Sequence, residues 1–138
     1  MKTFVVGITT DETAQQAAHQ ALDLARALGA TVHFVTAIED NTETVIGSGR
    51  DRATVDGLSV VRNNIERLLA DIGTEVPYTV RTVEGDPAKA LIQEAERTDA
   101  DLIVVGNVRM QGMGRVLGSV GNDVSHKAPC NVLIVKTT

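Results

Sequence analysis

Residues 3–38 read TFVVGITTDETAQQAAHQALDLARALGATVHFVTAI, and this stretch decides the fold. It opens on Thr3–Ile8 and closes on Thr31–Ile38, two apolar runs too short for helices. Between them Ala14, Ala17, Ala18, Ala21, Leu24, Ala25 and Leu28 recur at helical spacing from Thr13 to Leu28, and Gly29 stands where a helix would stop. An apolar run that is continuous rather than alternating, such as FVVGI, marks a strand covered on both faces. Strand, helix and strand in this order make a βαβ unit with parallel strands and a right-handed crossover.

The remaining chain repeats the alternation. Tyr78–Glu84, Asp101–Gly106 and Asn131–Lys136 are further strand candidates. LIVV and VLIV are again continuous, whereas YTVRTV alternates and belongs nearer an edge. Thr54–Ile72 carries Leu58, Val61, Ile65, Leu68, Leu69 and Ile72 at helical spacing before Gly73. Asp86 reads as an N-cap with Pro87 at the first helical position, followed by Ala88, Leu91, Ile92 and Ala95. A last short helix is expected from Ser119 to Ala128, ended by Pro129. The order is βαβαβαβαβ, an α/β fold with three layers (αβα) around a five-stranded doubly wound parallel sheet, Rossmann-like in its winding. The polar segment Asp40–Arg52, DNTETVIGSGRDR, has no periodic face and reads as a loop after the second strand, either a lid or a solvated surface segment.

Composition bounds the function. The 138 residues suit one domain spanning 1–138. A net charge of −5 argues against nucleic acid or an anionic membrane as partner. Phe4, Phe34 and Tyr78 are the only aromatic residues, so the core is aliphatic and a stacking platform for single strands is missing. The lone Cys130 cannot form an internal disulfide, the first apolar stretch is too short for a secretory signal, and a cytoplasmic location is expected.

In a doubly wound sheet the ligand crevice lies beyond the carboxyl ends of the strands, where the winding reverses. The candidates there are Thr9–Asp11, Ala37–Asp40 and above all Gly106–Ser119, GNVRMQGMGRVLGS. Gly106, Gly112, Gly114 and Gly118 let main-chain N–H groups approach an anion, and the helix opening at Ser119 offers unpaired N–H groups and the positive end of its dipole. Ser119 could cap that helix or donate to a phosphate oxygen, while Arg109 and Arg115 add positive charge. A flexible strand-to-helix connection is the other reading of such glycines. The loop is neither a Walker loop, since no GK[ST] follows, nor a GxGxxG after the first strand.

The loop GNVRMQGMGRVLGSV, the helix NDVSHKAPC and the last strand NVLIVK resemble the universal stress protein family, and the resemblance runs along the whole chain. It implies the adenine nucleotide alpha hydrolase-like fold. ATP-binding members carry G-x-x-G, nine residues, then G-[ST]; others lack the motif and bind no nucleotide. Here Gly106, Gly118, Ser119 and Val120 match, but Arg109 stands at the second glycine and the spacing to Gly118 is one residue shorter. Thr9 stands where the family usually has an aspartate after the first strand, with Asp11 two residues on.

The resemblance implies a small regulatory protein of the stress response that binds ATP, ADP or AMP. Gly106, Gly118, Ser119 and Val120 would hold phosphate and ribose, assisted by Arg109 or Arg115. Thr9 or Asp11 would face the nucleoside, and the main chain near Ala37 would read adenine. The Arg109 side chain either crowds the phosphate-wrapping backbone or grips phosphate bidentately. Any metal would be magnesium arriving with the nucleotide. The family's habit of dimerising through the last strand implies a homodimer through Asn131–Lys136, with further protein partners unidentified. The alternatives are a nucleotide-free dimeric interaction module and a cyclic-AMP binder.

Catalysis is not expected beyond slow, incidental ATP hydrolysis, because no Walker lysine, placed base or metal carboxylate pair is evident. GSVG does not fit the G-x-S-x-G elbow, which ranks an esterase or nucleotidase last. His19, His33 and His126 lack metal-ligand spacing. Cys130 reads as a small buried residue starting the last strand rather than as a nucleophile.

Overall fold

The computed structural model describes residues 2–9, 12–38, 43–46, 53–106 and 119–136, with the backbone alone at 12–14, 43–46, 53–56 and 119. The elements are β1 (Thr3–Gly7), α1 (Glu12–Leu28), β2 (Thr31–Ile38), β3 (Glu43–Ile46), β4 (Ala53–Asp56), α2 (Gly57–Ile72), β5 (Tyr78–Glu84), α3 (Pro87–Thr98), β6 (Leu102–Gly106), α4 (Ser119–Lys127) and β7 (Asn131–Val135). Five strands form one sheet in the order β5-β2-β1-β6-β7, and every pairing within it is parallel. The chain winds outward from β1 through β2 to β5, then returns across the sheet to β6 and β7. The reversal therefore falls between β1 and β6.

Side chains alternate across the strands and so divide the core in two. Phe4, Val6, Val32, Phe34, Leu102 and Val104 pack with α1 and α2 residues, among them Ala18, Leu22, Ile65 and Leu69. Val5, Val35, Ile103 and Val105 face the other way, onto Ala88, Leu91 and Ala95 of α3 and Val124 of α4. These are the two outer layers of the αβα arrangement. The stripe of α1 is centred slightly off the expected one: Leu22 and Ala25 are buried, while Leu28, the helix's last residue, is 46% exposed.

Three expectations need correction. Asp40–Arg52 is not a structureless connection, since Glu43–Ile46 pairs antiparallel with Ala53–Asp56 in a small second sheet. That pairing also takes the first residues expected of the second helix, which begins at Gly57 rather than Thr54. Thr44, Val45, Ile46, Thr54 and Val55 are β-branched and suit a strand better than a helix start. In addition, the continuous run VLIV does not mark a strand covered on both faces. β7 is an edge strand, where Val135 is buried, Leu133 is exposed and Ile134 is only half-buried. YTVRTV is the opposite edge, as its alternation predicts.

Candidate functional site

The reversal in winding leaves a gap that the hydrogen-bond ladders define. β1 and β6 pair at Phe4–Leu102, Val5–Ile103 and Val6–Val104, and there their ladder ends. Beyond it each strand continues with its other neighbour. Gly7 aligns with Val35 of β2, and the Ile8 N–H donates to the Val35 carbonyl at 3.0 Å. Val105 and Gly106 align with Ile134 and Val135 of β7. The two central strands thus part at their carboxyl ends, the place where a doubly wound sheet has its ligand crevice.

The helices that follow these two strands complete its surroundings. A helix crossing between parallel strands runs antiparallel to them, so it starts at the carboxyl edge. α1 does so on the face packed by Leu22, and α4 on the face packed by Val124. The edge between β1 and β6 is therefore flanked from both layers by helix N-termini, whose first N–H groups have no intrahelical partner and which carry positive dipole character. An anionic group is the ligand chemistry such an edge favours.

Of the residues singled out by the sequence, the fold gathers Thr9, Ala37, Gly106 and the start of α4 at this one edge. Thr9 lies two residues beyond β1 and is half-buried. Ala37 sits near the end of β2, aligned with Val83 and packed on the α3 side. Gly106 closes β6. Ser119 opens α4, and Val120 beside it packs into the α3–α4 layer. Asp11, Arg109, Gly112, Arg115 and Gly118 lie outside the described residues.

The crevice floor is tightly built. A Cβ on Gly7 would meet the Leu91 methyls at 3.3 and 3.4 Å and a Val105 methyl at 3.5 Å, so α3 packs on β1 closely enough that Leu91 would have to give by a few tenths of an ångström. Among the described residues no group of three or more His, Cys, Asp or Glu is placed to hold a metal. His19 and His126 are exposed, and His33 Nδ1 lies 2.8 Å from Thr79 Oγ1. Cys130 is half-buried directly before β7, and burial pushes its thiol above the ordinary value, the reverse of an activated nucleophile.

One polar group carries no mark in the sequence motifs. Glu94 of α3 is 4% exposed, and both its oxygens accept from Arg97, Oε1 from Nε and Oε2 from Nη2, each at 2.7 Å. Arg81 Nη1 of β5 lies 3.7 Å from Oε1. The hydrogen bonds from Arg97 hold the Glu94 carboxyl below its ordinary value, overcoming the opposing effect of burial. His33, by contrast, is lowered from its ordinary value chiefly by burial, against an opposing effect of Glu94 and with a further lowering by Arg97. A signal was available: position 94 falls three residues after Leu91 and one before Ala95, inside the apolar stripe of α3, where a carboxylate needs a partner.

Comparison with known proteins gives one consistent result. The family model described as the universal stress protein family matches residues 1–136. A universal stress protein of Mycobacterium tuberculosis is 49% identical over 59 residues, 42% of this chain, and the match spans only 40% of that protein's length. The stress response protein NhaX of Bacillus subtilis is 29% identical over 96% of both chains. Among solved structures, a universal stress protein in complex with cAMP superposes with a TM-score of 0.72 at 28% identity, covering 99% of this chain and 98% of the other.

Proposed function

This chain belongs to the universal stress protein family, and from that premise we propose that its β1–β6 crevice binds an adenine nucleotide in a regulatory rather than a catalytic role. The observation that carries the reading is the whole-length likeness to a family member solved with cAMP. The parting of β1 and β6 between two helix N-termini supplies a physical reason for it, since an anionic phosphate group suits that edge. In this reading the main chain of Gly106 and Gly118, with Ser119 and Val120, holds phosphate and ribose. Thr9 or Asp11 faces the nucleoside, and the chain near Ala37 lies against adenine. Arg109 and Arg115 assist with the phosphates. ATP, ADP, AMP and cyclic AMP share the chemistry this requires, and magnesium enters with the polyphosphates.

The test is mass spectrometry of ligand released by denaturing freshly purified protein, with calorimetric titration of ATP, AMP and cyclic AMP. A bound or titratable nucleotide is expected. Protein that arrives empty and ignores all three at millimolar concentration refutes the reading. Arg109→Gly then tells grip from obstruction: binding weakens about tenfold or more if the guanidinium pairs with phosphate, and strengthens if the side chain blocks the loop.

The departures at Arg109 and in the glycine spacing favour one rival, a nucleotide-free dimer that acts through protein partners by way of its β7 edge. An empty protein that remains dimeric would support it.

A further inference from the structure

The Glu94 cluster stands outside the crevice yet touches the helix on which the crevice floor rests. Burying a carboxylate is costly unless hydrogen bonds and opposite charge compensate it closely, and removing one partner of such a pair leaves an uncompensated buried charge. Here compensation comes from two elements. Arg97 lies on α3 itself, so its two bonds to Glu94 strengthen the helix without fixing where the helix sits. Arg81 lies on the edge strand β5, so its approach to Oε1 at 3.7 Å ties α3 to the sheet. His33 and Thr79 join β2 to β5 at 2.8 Å within the same electrostatic neighbourhood. The cluster spans β2, β5 and α3.

One helical turn from Glu94 stands Leu91, whose methyls lie 3.3 and 3.4 Å from the place a Gly7 Cβ would occupy. Leu91 shares its packed layer with Val105, and with Ala37 and Val83 from the neighbouring strands. A slide or rotation of α3 would therefore be felt at the carboxyl ends of β1, β2 and β6 together, at the positions that bound the crevice. We propose that Glu94 is a positioning residue: held by Arg97 and tied to β5 by Arg81, it fixes α3 and so sets the crevice floor at Gly7 and Ile8. Its effect on ligand affinity rests on the nucleotide reading above; its effect on the floor does not.

The experiment measures site-resolved hydrogen exchange in the full chain together with calorimetric titration of cyclic AMP, a phosphodiester that does not itself titrate near neutral pH. Glu94→Gln is compared with Arg81→Gln, which changes a half-exposed side chain and leaves the Arg97 pair intact. In Glu94→Gln the Ile8 amide, bonded to the Val35 carbonyl, is expected to lose about tenfold of its protection. Amides in the middle of α1 and α2 should stay near their wild-type values. Arg81→Gln should shift Ile8 in the same direction by a few-fold, and both variants should bind cyclic AMP more weakly in the same order.

An Ile8 amide that is unmoved in both variants overturns the proposal. So does a loss of protection spread evenly over all elements, which reports only lower global stability. Should wild-type protein bind no cyclic AMP, ATP or AMP, the nucleotide reading fails alone, and the exchange pattern still decides the role of Glu94.

Discussion

Two residues at opposite ends of β1 show how single side chains set this architecture. Gly7, at the carboxyl end, has Leu91 and Val105 where a side chain would be. Its backbone is not left-handed, so space rather than strain excludes larger residues. Gly7→Val should cost about 1–3 kcal/mol by overpacking a buried contact. Gly7→Ala should cost less, because restricting the unfolded chain returns about 0.4–1 kcal/mol; urea titration of both variants measures the difference. At the amino end, Asp101 Oδ2 accepts from the Lys2 and Thr3 N–H groups at 2.8 and 3.1 Å, and the Asp101 N–H donates to the Thr3 carbonyl at 2.8 Å. Those N–H groups hold the Asp101 carboxyl below its ordinary value. A carboxylate lowered in the folded state contributes stability that is complete above its unfolded value and is lost as pH falls through its folded value. Denaturant midpoints of Asp101→Asn should therefore fall less steeply below about pH 4 than those of the parent. Parallel acid limbs in the two proteins would remove Asp101 from the account.

At the scale of elements, the helix ends contrast instructively. α1 and α2 are followed by Gly29 and Gly73 at φ of 67° and 68°, the left-handed stop that glycine adopts without a Cβ penalty. α3 makes the same stop with Asp99 at φ 52°, its N–H bonded back to the Ala95 and Glu96 carbonyls. A non-glycine residue there costs about 1–2 kcal/mol, part of which glycine gives back as unfolded-chain entropy. Asp99→Gly should thus stabilise the protein by roughly 0.5–1 kcal/mol, read as a raised thermal midpoint; a lowered midpoint would mean that the carboxylate does more than end the helix. The two glycine stops are legible in the amino-acid sequence, as are the parallel strands and the Asp86 cap, which accepts from the Lys89 N–H at 2.9 Å. Each is written in residues adjacent along the chain. The β3–β4 hairpin is not legible there, because ETVI and ATVD are four residues each and acquire their register only from one another. Of the Glu94 cluster only the carboxylate within the α3 stripe is legible; its cross-strand surroundings are not, since the His33–Thr79 contact joins residues 46 apart. Thr9, Ala37, Gly106 and Ser119 can be placed at one edge because their position follows from winding alone. The local geometry of that edge depends on where the β1–β6 ladder stops, which no apolar pattern records.

For the molecule as a whole, the two sheet edges differ in a way that bears on assembly. At β5 the chain places Arg81, held towards α3 by Glu94, and charge on an edge strand discourages pairing with another chain. At β7 the strand carries NVLIV with no charge inside it, and Leu133 is 36% exposed on a strand whose neighbours Val132 and Ile134 are only partly buried. An apolar edge with an unsatisfied ladder is a template for a second strand, and a twofold axis beside it closes the assembly at two copies. Self-pairing across that axis brings the two β7 strands antiparallel and the two Leu133 side chains near one another. We therefore expect the chain to sediment as a dimer at micromolar concentration, and Leu133→Lys to sediment as a monomer with an unchanged far-ultraviolet spectrum. Like charges opposed across strands oppose pairing, and in the isolated subunit the lysine is already solvated, so the fold itself should be unaffected. A wild-type monomer would leave β7 as an edge guarded by something other than self-association. A Leu133→Lys dimer would move the interface elsewhere on the molecule. Because β7 aligns with the last residues of β6, including Gly106 opposite Val135, a dimer formed here would also brace one wall of the crevice. Nucleotide affinity should then fall when the protein is diluted below its dimer dissociation constant, and should be concentration-independent in Leu133→Lys.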